Sequence, residues 1–304
     1  MNKYNHDLAL AFLLTQQDYE SGRLKRCLYK MFVEYPASSN HSFSFYFIFN
    51  NFFNVDINDI IIDIPLNILG KAKLHFLKID SKDNKYQKRG EGIEAESKLG
   101  LSAGPNSLFF GAMNFLKKSS HTHFLMLETD VLSLQYSWLD KLLSFSKSND
   151  FLIAGSTYKG LNLHCAVTNW KHINGVAIYT NKKFLFSLLD SVKLFLINEI
   201  AQKRSQANLN GKNQWLKATT PSEINDWFKK QDNSKKRTSL ILNYDVAIYK
   251  YCQDIGPNLF TTNHTSNRIM DIDLILDLSL AVDKKTSVEE VKSRFPLAVL
   301  CHKK

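Results

Sequence analysis

Residues 123–130 read His-Phe-Leu-Met-Leu-Glu-Thr-Asp, an apolar run that ends in two carboxylates, Glu128 and Asp130. A short apolar run of this kind predicts a buried strand. Side chains two residues apart on an extended chain point to the same side, so both carboxylates can face one ligand. Mg²⁺ and Mn²⁺ prefer oxygen ligands and usually keep positions for water and phosphate. The segment therefore predicts a strand that delivers metal ligands, the simpler alternative being a solvated acidic turn.

Apolar segments alternate with helix-compatible segments on both sides of this strand. Further strands are predicted at 8–14, 43–49, 73–79, 151–155, 172–179 and 296–302, and helices at 19–35, 56–62, 105–115, 138–145, 181–204, 244–252 and 287–294. This alternation is typical of an α/β protein. We therefore expect a Rossmann-like, mixed but mainly parallel central sheet flanked by helices.

The composition limits the class of protein and of partner. The chain has 304 residues, of which 44% are hydrophobic and 12% aromatic, enough for a large core. A formal charge of +10 and a pI near 9.2 favour an anionic partner. Sugar nucleotides, nucleic acids and anionic membrane surfaces all satisfy that requirement.

The cysteines and the hydropathy pattern indicate in which cellular compartment the protein is expected. Four widely spaced cysteines show no C-x-x-C spacing, which argues against a zinc knuckle or a disulfide framework and for a reducing compartment. No apolar run reaches the roughly 18 residues that a membrane crossing needs, and the apolar segment 8–14 lacks a signal-peptide cleavage site. We expect a cytoplasmic protein, with peripheral contact to an anionic membrane as an additional option.

The segment 100–106, Gly-Leu-Ser-Ala-Gly-Pro-Asn, leads into a predicted helix whose first turn contains Pro105. Helix N-termini attract phosphate groups, so Ser102 and Asn106 are candidate ligand contacts. An ordinary helix cap is the alternative interpretation.

Two acidic residues late in the chain are candidate general bases. Asp245 lies in the first turn of the predicted helix 244–252, where a carboxylate can reach a substrate hydroxyl or simply favour the helix dipole. Asp226 precedes an aromatic residue that could stack on a sugar. Asp226 lies within 201–239, a polar stretch with nine Lys or Arg and three acidic residues that predicts a mobile basic loop or a solvated surface.

The order of these features resembles the GT-A class of nucleotide-sugar glycosyltransferases. In that class a D-x-D motif follows a central strand, and its last carboxylate binds the metal that holds the donor diphosphate. Here Glu128-Thr129-Asp130 occupies that place, with glutamate in the position of the usual first aspartate.

Two shorter segments extend the resemblance. The segment 172–176, His-Ile-Asn-Gly-Val, is similar to the Asn-x-Gly-Val strand of glycogenin-type enzymes, in which the asparagine and glycine line the sugar site. A strand with a glycine bulge is the alternative. The segment 300–304, Leu-Cys-His-Lys-Lys, resembles the end of such enzymes, although the fuller H-x-x-G-x-x-K-P-W form is missing.

The resemblance implies one GT-A-like catalytic domain over 1–304, with a nucleotide-donor half at 1–130 and an acceptor half at 131–304 that contains the basic loop 201–239. It implies Mn²⁺ or Mg²⁺ held by Glu128, Asp130 and a late histidine. That histidine is His302, with His264 as the alternative. The resemblance also implies that Lys303 contacts phosphate and that Asp80 contacts the base or the ribose. Asn174 and Gly175 would line the sugar site.

We therefore expect a metal-dependent glycosyltransferase that uses a UDP- or GDP-sugar and a glycan, lipid-linked or other hydroxyl acceptor, in bacterial-type surface polysaccharide or glycoconjugate synthesis. No nucleic-acid partner is expected. Asp245 as base implies inversion, whereas the Asn-x-Gly-Val segment and the terminal histidine favour retention, so the stereochemistry stays open.

Two other functions compete with this interpretation. A sugar-phosphate nucleotidyltransferase would normally carry a glycine-rich basic loop after its first strand, and residues 15–23 are poor in glycine. A non-catalytic basic nucleic-acid-binding protein would fit the charge, but the sequence contains no recognisable helix-turn-helix, zinc or aromatic-basic RNA motif.

Overall fold

Seven strands form a mixed sheet in which six strands run in one direction. The computed structural model describes residues 7–34, 41–84, 97–160, 171–209, 242–254, 256, 259–260, 268–278 and 286–303. The strands of the large sheet are β1 (Leu8–Leu14), β2 (Phe43–Phe49), β3 (Leu69–Phe76), β4 (His123–Leu127), β6 (Ile153–Gly155), β7 (Ala177–Thr180) and β8 (Ile269–Asp271). Their spatial order is β3-β2-β1-β4-β7-β6-β8, and β7 is antiparallel to both of its neighbours. The expected mainly parallel sheet flanked by helices is confirmed.

A smaller sheet lies beside the large one. It consists of β5 (Val131–Ser133), β9 (Ile275–Asp277) and β10 (Leu300–His302), in the order β5-β10-β9. Its strand β5 follows β4 after only three residues. The small sheet therefore brings the last strand of the described chain next to the end of β4.

Helices cover both faces of the large sheet. They are α1 (Gln16–Glu20), α2 (Arg23–Tyr29), α3 (Ile57–Ile61), α4 (Ala103–Leu116), α5 (Trp138–Ser148), α6 (Lys183–Leu209), α7 (Tyr244–Asp254) and α8 (Val288–Arg294), with short 3₁₀ and π segments at Gly100–Ser102 and Lys30–Glu34. Alternate residues of β1 enter two cores, one shared with α4, α6 and α7 and the other with α2 and α5. Because both faces are covered, β1 and β4 are almost continuously apolar. Among the described residues, none of the helices has the length and hydropathy that a membrane crossing requires.

Several predicted boundaries were wrong. The helix predicted at 19–35 is divided at Gly22, whose φ of +69° favours glycine over residues with a side chain. The strand predicted at 172–179 begins only at Ala177, so Asn174 and Gly175 lie in the loop before it. The third strand ends at Phe76, four residues before Asp80. The short strands β5, β8 and β9 were not predicted.

The strand order creates a crevice at the carboxyl ends of β1 and β4. The chain passes from β1 outward to β2 and β3 and then returns to place β4 on the other side of β1. At such a switch point the connections leave in opposite directions, and ligands of open α/β sheets bind in the gap between them. The Glu128-Thr129-Asp130 segment follows β4 directly into this gap.

Candidate metal centre and its cleft

A cleft of about 770 Å³ occupies the switch point. This volume falls within the range of roughly 300–1,000 Å³ that small-molecule sites have. Its walls include Thr15, Asn50, Ser102, Glu128, Asp130 and Tyr244. The cleft therefore combines the ends of β1, β2 and β4 with the N-terminal ends of α4 and α7.

Three side chains from distant parts of the chain meet at the edge of this cleft. Glu128, Asp130 and His302 each offer one ligand atom, and these atoms lie within 4.8 Å of one another. His302 Nε2 is 3.0 Å from Asp130 Oδ1 and 3.5 Å from Glu128 Oε2. The pairing of β10 with β5 places His302 opposite Val131, and the Lys303 backbone N–H donates to the Asp130 carbonyl at 3.1 Å. The small sheet thus positions the histidine beside the two carboxylates.

The chemistry of these three groups fits a divalent cation. The His302 side chain is only 4% exposed, and neither of its ring nitrogens has a partner with hydrogen-bond geometry among the described residues. Burial lowers the pKa of His302, but the carboxylates of Asp130 and Glu128 outweigh that effect and hold the pKa well above its ordinary value. A cation in the same place would replace the proton. Two carboxylates and one imidazole suit Mn²⁺ and leave octahedral positions for water or phosphate oxygens.

Asp18 supports the turn that carries the two carboxylates. The Thr129 hydroxyl donates to Asp18 Oδ1 at 3.2 Å, while the Thr15 backbone N–H donates to Asp18 Oδ2 at 2.9 Å. Arg23 Nη1 lies 3.7 Å from Asp18 Oδ1 and its side chain is 54% exposed at the cleft. The sequence interpretation missed both Asp18 and Arg23. The signal for Asp18 is the capping box Thr15…Asp18 immediately after the first strand.

Asn50 is a second group in the cleft wall that the sequence interpretation missed. It directly follows β2 and is 7% exposed. Its Nδ2 donates to Asn84 Oδ1 at 2.7 Å, whereas Oδ1 has no hydrogen-bond partner among the described residues. A buried polar atom of this kind requires a partner, and a polar ligand in the cleft can supply one.

Of the two residues predicted at the start of α4, the structure places only Ser102 on the cleft. Asn106 is fully buried, and its Nδ2 donates to the carbonyls of Leu242 at 2.9 Å and Leu99 at 3.3 Å. Asn106 therefore ties α4 to the segment that precedes α7. It is not brought to the cleft surface.

We expect Asn106→Ala to lower the free energy of unfolding by about 2 kcal/mol or more, because two buried carbonyls lose their donor. Urea denaturation followed by circular dichroism measures this change. Asn114→Ala is the matched control, since Asn114 is exposed on the same helix. Equal stabilities of the two variants would contradict the structural role of Asn106.

Of the predicted sugar-site residues, Asn174 closes a local turn and Gly175 packs against the start of α7. Asn174 Oδ1 accepts from the Val176 backbone N–H at 3.0 Å, which closes a local turn. The Tyr244 hydroxyl lies directly over Gly175, where an added Cβ would be 1.8 Å from Tyr244 Oη. Tyr244 itself stacks on Phe109 with ring centroids 3.7 Å apart. Glycine is therefore required here by Tyr244, which in turn lines the cleft.

We expect Gly175→Ala to destabilise the protein by about 1–3 kcal/mol, since the new methyl group displaces Tyr244 from its stacked position. Thermal unfolding of the variant, together with the double variant Gly175→Ala/Tyr244→Phe, measures the effect. Removal of the hydroxyl relieves the shortest contact, so the double variant should recover part of the loss. If it recovers none, Tyr244 Oη is not the reason for the glycine.

At the start of α7, the Asp245 carboxylate contacts a histidine from the loop before β7. His172 Nε2 lies 3.5 Å from Asp245 Oδ2, and the two side chains are 10% and 12% exposed. Burial alone would raise the pKa of Asp245, but the charge and hydrogen bond of His172 and the backbone N–H of Val246 hold the pKa below its ordinary value. A lowered pKa makes a carboxylate a weaker proton acceptor, so this geometry favours a buried ion pair. A catalytic role for Asp245 stays a prediction.

The remaining predicted residues lie away from the cleft or outside the described residues. Asp80 lies at another cleft, of about 870 Å³, bordered by the end of β3, α4 and α6, and it pairs with Lys82 at 3.4 Å. The Lys303 ammonium donates to the Thr286 carbonyl. Asp226 and His264 lie outside the described residues, as does most of the basic stretch 201–239.

At the level of sequence, neither a protein-family model nor a curated protein matches the chain. Solved structures give weak similarities. Mouse xyloside xylosyltransferase 1 is 10% identical, with 97% of both chains covered and a TM-score of 0.45. The glycosyltransferase GlyE of Streptococcus pneumoniae is 10% identical, with 97% of this chain and 55% of GlyE covered and a TM-score of 0.44. The bifunctional glycosyltransferase WbbM is 9% identical, with 99% of this chain and 46% of WbbM covered and a TM-score of 0.43.

Proposed function

We propose that the chain is a metal-dependent glycosyltransferase that uses a nucleotide-sugar donor. The observation that carries the proposal is the meeting of Glu128, Asp130 and His302 at the edge of the switch-point cleft. This arrangement supports the proposal because it combines a candidate cation site with a cleft of about 770 Å³ at one place. The chain's net charge of +10 suits a diphosphate-bearing ligand.

In this proposal five side chains at the cleft and its edge have particular roles. Asp130 and His302 would hold Mn²⁺ or Mg²⁺ and Glu128 would support them, because their ligand atoms converge within 4.8 Å. A cation held by these residues would supply positive charge that stabilises the departing diphosphate. Arg23, exposed at the cleft, contacts a phosphate oxygen, and Asn50 binds a polar edge of the nucleoside.

The finer features of the proposal concern the donor, the acceptor and the domain. The donor is a UDP- or GDP-sugar, the acceptor is a glycan or lipid-linked hydroxyl compound, and the pathway is polysaccharide or glycoconjugate synthesis. The chain forms one domain, with a nucleotide-donor half at 1–130 and an acceptor half at 131–304. The proposed metal site would join them, since Glu128 and Asp130 come from the first half and His302 from the second.

The test is release of nucleoside diphosphate from a panel of UDP- and GDP-sugars by the full chain, with Mn²⁺ or with EDTA. We expect metal-dependent release from at least one donor, because water can take the place of the hydroxyl acceptor. Mixtures of glycan and lipid-linked acceptors should accelerate that release. If no donor is consumed with any acceptor, the proposal is wrong. If the chain instead releases pyrophosphate from a nucleoside triphosphate and a sugar 1-phosphate, it is a nucleotidyltransferase.

A further inference from the structure

A buried carboxylate lies behind His302, on the side away from the candidate metal centre. Asp277 is the last residue of β9, and its side chain is 4% exposed. Asp277 is not one of the three converging ligands. A carboxylate is rarely buried without a charged or hydrogen-bonded neighbour, so its place beside an imidazole calls for a reason.

The two strands of the small sheet fix this arrangement. Strands β9 and β10 are parallel, and Asp277 stands opposite His302 in their register. The Leu278 backbone N–H donates to the His302 carbonyl at 2.9 Å, and the Lys159 backbone N–H donates to the Asp277 carbonyl at 3.0 Å. These hydrogen bonds and the strand register hold the two backbones in place, so the side chains of Asp277 and His302 start from neighbouring positions.

The imidazole of His302 therefore stands between two sets of carboxylates. Its Nε2 faces Asp130 at 3.0 Å and Glu128 at 3.5 Å, while its Nδ1 lies 3.7 Å from Asp277 Oδ1. The Nδ1 distance is longer than a hydrogen bond, so the two side chains are close neighbours that do not share a hydrogen bond in this structure. A small rotation of either side chain would bring Asp277 Oδ1 within hydrogen-bond distance of His302 Nδ1.

A carboxylate beside the second ring nitrogen of a metal-binding histidine has a known chemical effect. An imidazole that binds a cation through one nitrogen carries a proton on the other, and a carboxylate that faces this N–H fixes the tautomer and the ring orientation. We propose that Asp277 is the positioning residue of His302, which keeps the proton on Nδ1 and turns Nε2 toward the cation shared with Glu128 and Asp130. This inference rests on the metal site of the proposed function.

The first test is the affinity of the full chain for Mn²⁺ alone, measured from the electron paramagnetic resonance of free Mn²⁺. Asp277→Asn keeps the shape of the side chain and removes its charge, and we expect the Kd to rise about 10- to 100-fold. Asp271→Asn is the matched control, because Asp271 also ends a strand but pairs with Lys159, at 2.6 Å. The control should bind Mn²⁺ within about threefold of wild type. Thermal unfolding of all three proteins in EDTA shows whether the variants are folded.

The second test does not depend on the folding of any variant. In wild-type chain labelled with ¹⁵N-histidine and loaded with Zn²⁺, a diamagnetic probe, we expect His302 to be protonated at Nδ1 and metal-bound at Nε2. A proton on Nε2 would overturn the inference, as would an unchanged Mn²⁺ affinity in folded Asp277→Asn. Both of these results leave the proposed function standing. A wild-type chain that binds no cation at all contradicts the proposed function as well.

Discussion

Asp130→Ala should reduce the release of nucleoside diphosphate from the best nucleotide-sugar donor by about 1,000-fold. The reason is that Asp130 Oδ1 and His302 Nε2 lie 3.0 Å apart on one side of the candidate cation position, and removal of the carboxylate leaves one strong oxygen ligand fewer. Stabilisation of the leaving group by a bound cation contributes several kcal/mol, and each 1.36 kcal/mol changes the rate about tenfold. Steady-state assays at saturating Mn²⁺ measure the loss.

The matched control is Asp150→Ala. Asp150 is exposed and pairs with Lys182. It lies just before β6, at the amino ends of the parallel strands, whereas the cleft lies at their carboxyl ends. This variant should retain wild-type turnover. Circular dichroism should show that both variants remain folded in EDTA, because Asp130 lies at the cleft and not in the apolar core. Turnover by Asp130→Ala that is close to wild type would remove Asp130 from the mechanism.

Asp245→Ala should lower the free energy of unfolding by about 3–5 kcal/mol, the cost of leaving one member of a buried ion pair without its partner. The pair with His172 joins the start of α7 to the loop that precedes β7, and Tyr244 beside it packs on Gly175. Urea denaturation measures the change. Asp254→Ala, at the exposed end of the same helix, is the control and should have little effect.

The same pair predicts the pH dependence of stability. The pKa of Asp245 is lower in the folded protein than in the unfolded chain. Its contribution is therefore fully present above the unfolded pKa, which is about 4, and is lost as the pH falls through the folded value. Asp245→Ala should flatten the loss of stability below about pH 4. If both proteins lose stability equally in acid, the lowered pKa is not a source of stability.

The sequence predicted the centre of the sheet because β1, β2 and β4 are apolar and almost completely buried. Strands β1, β2 and β4 lie at or close to the predicted positions. The same pattern predicted that Glu128 and Asp130 leave β4 on one side. The sequence also predicted His302 as their partner, but only through a resemblance in the last residues of the chain.

The remaining features depend on contacts that no local pattern encodes. Strands β5, β8 and β9 contain three residues each, too few for a periodic signal. Asp277 meets His302 only because β9 and β10 pair in register. Asn106 had the position of a phosphate contact, but the tertiary fold buries its amide against Leu242 and Leu99. Asp245 had the position of a base, yet His172 lies against it.

The most direct test of the central claim is a crystal structure of the full chain with Mn²⁺ and UDP or GDP. We predict one Mn²⁺ bound to Asp130, His302 and the diphosphate, with the nucleoside in the switch-point cleft beside Asn50. A diphosphate that shares no metal with Asp130, or a Mn²⁺ bound away from Glu128, Asp130 and His302, would contradict the proposed mechanism.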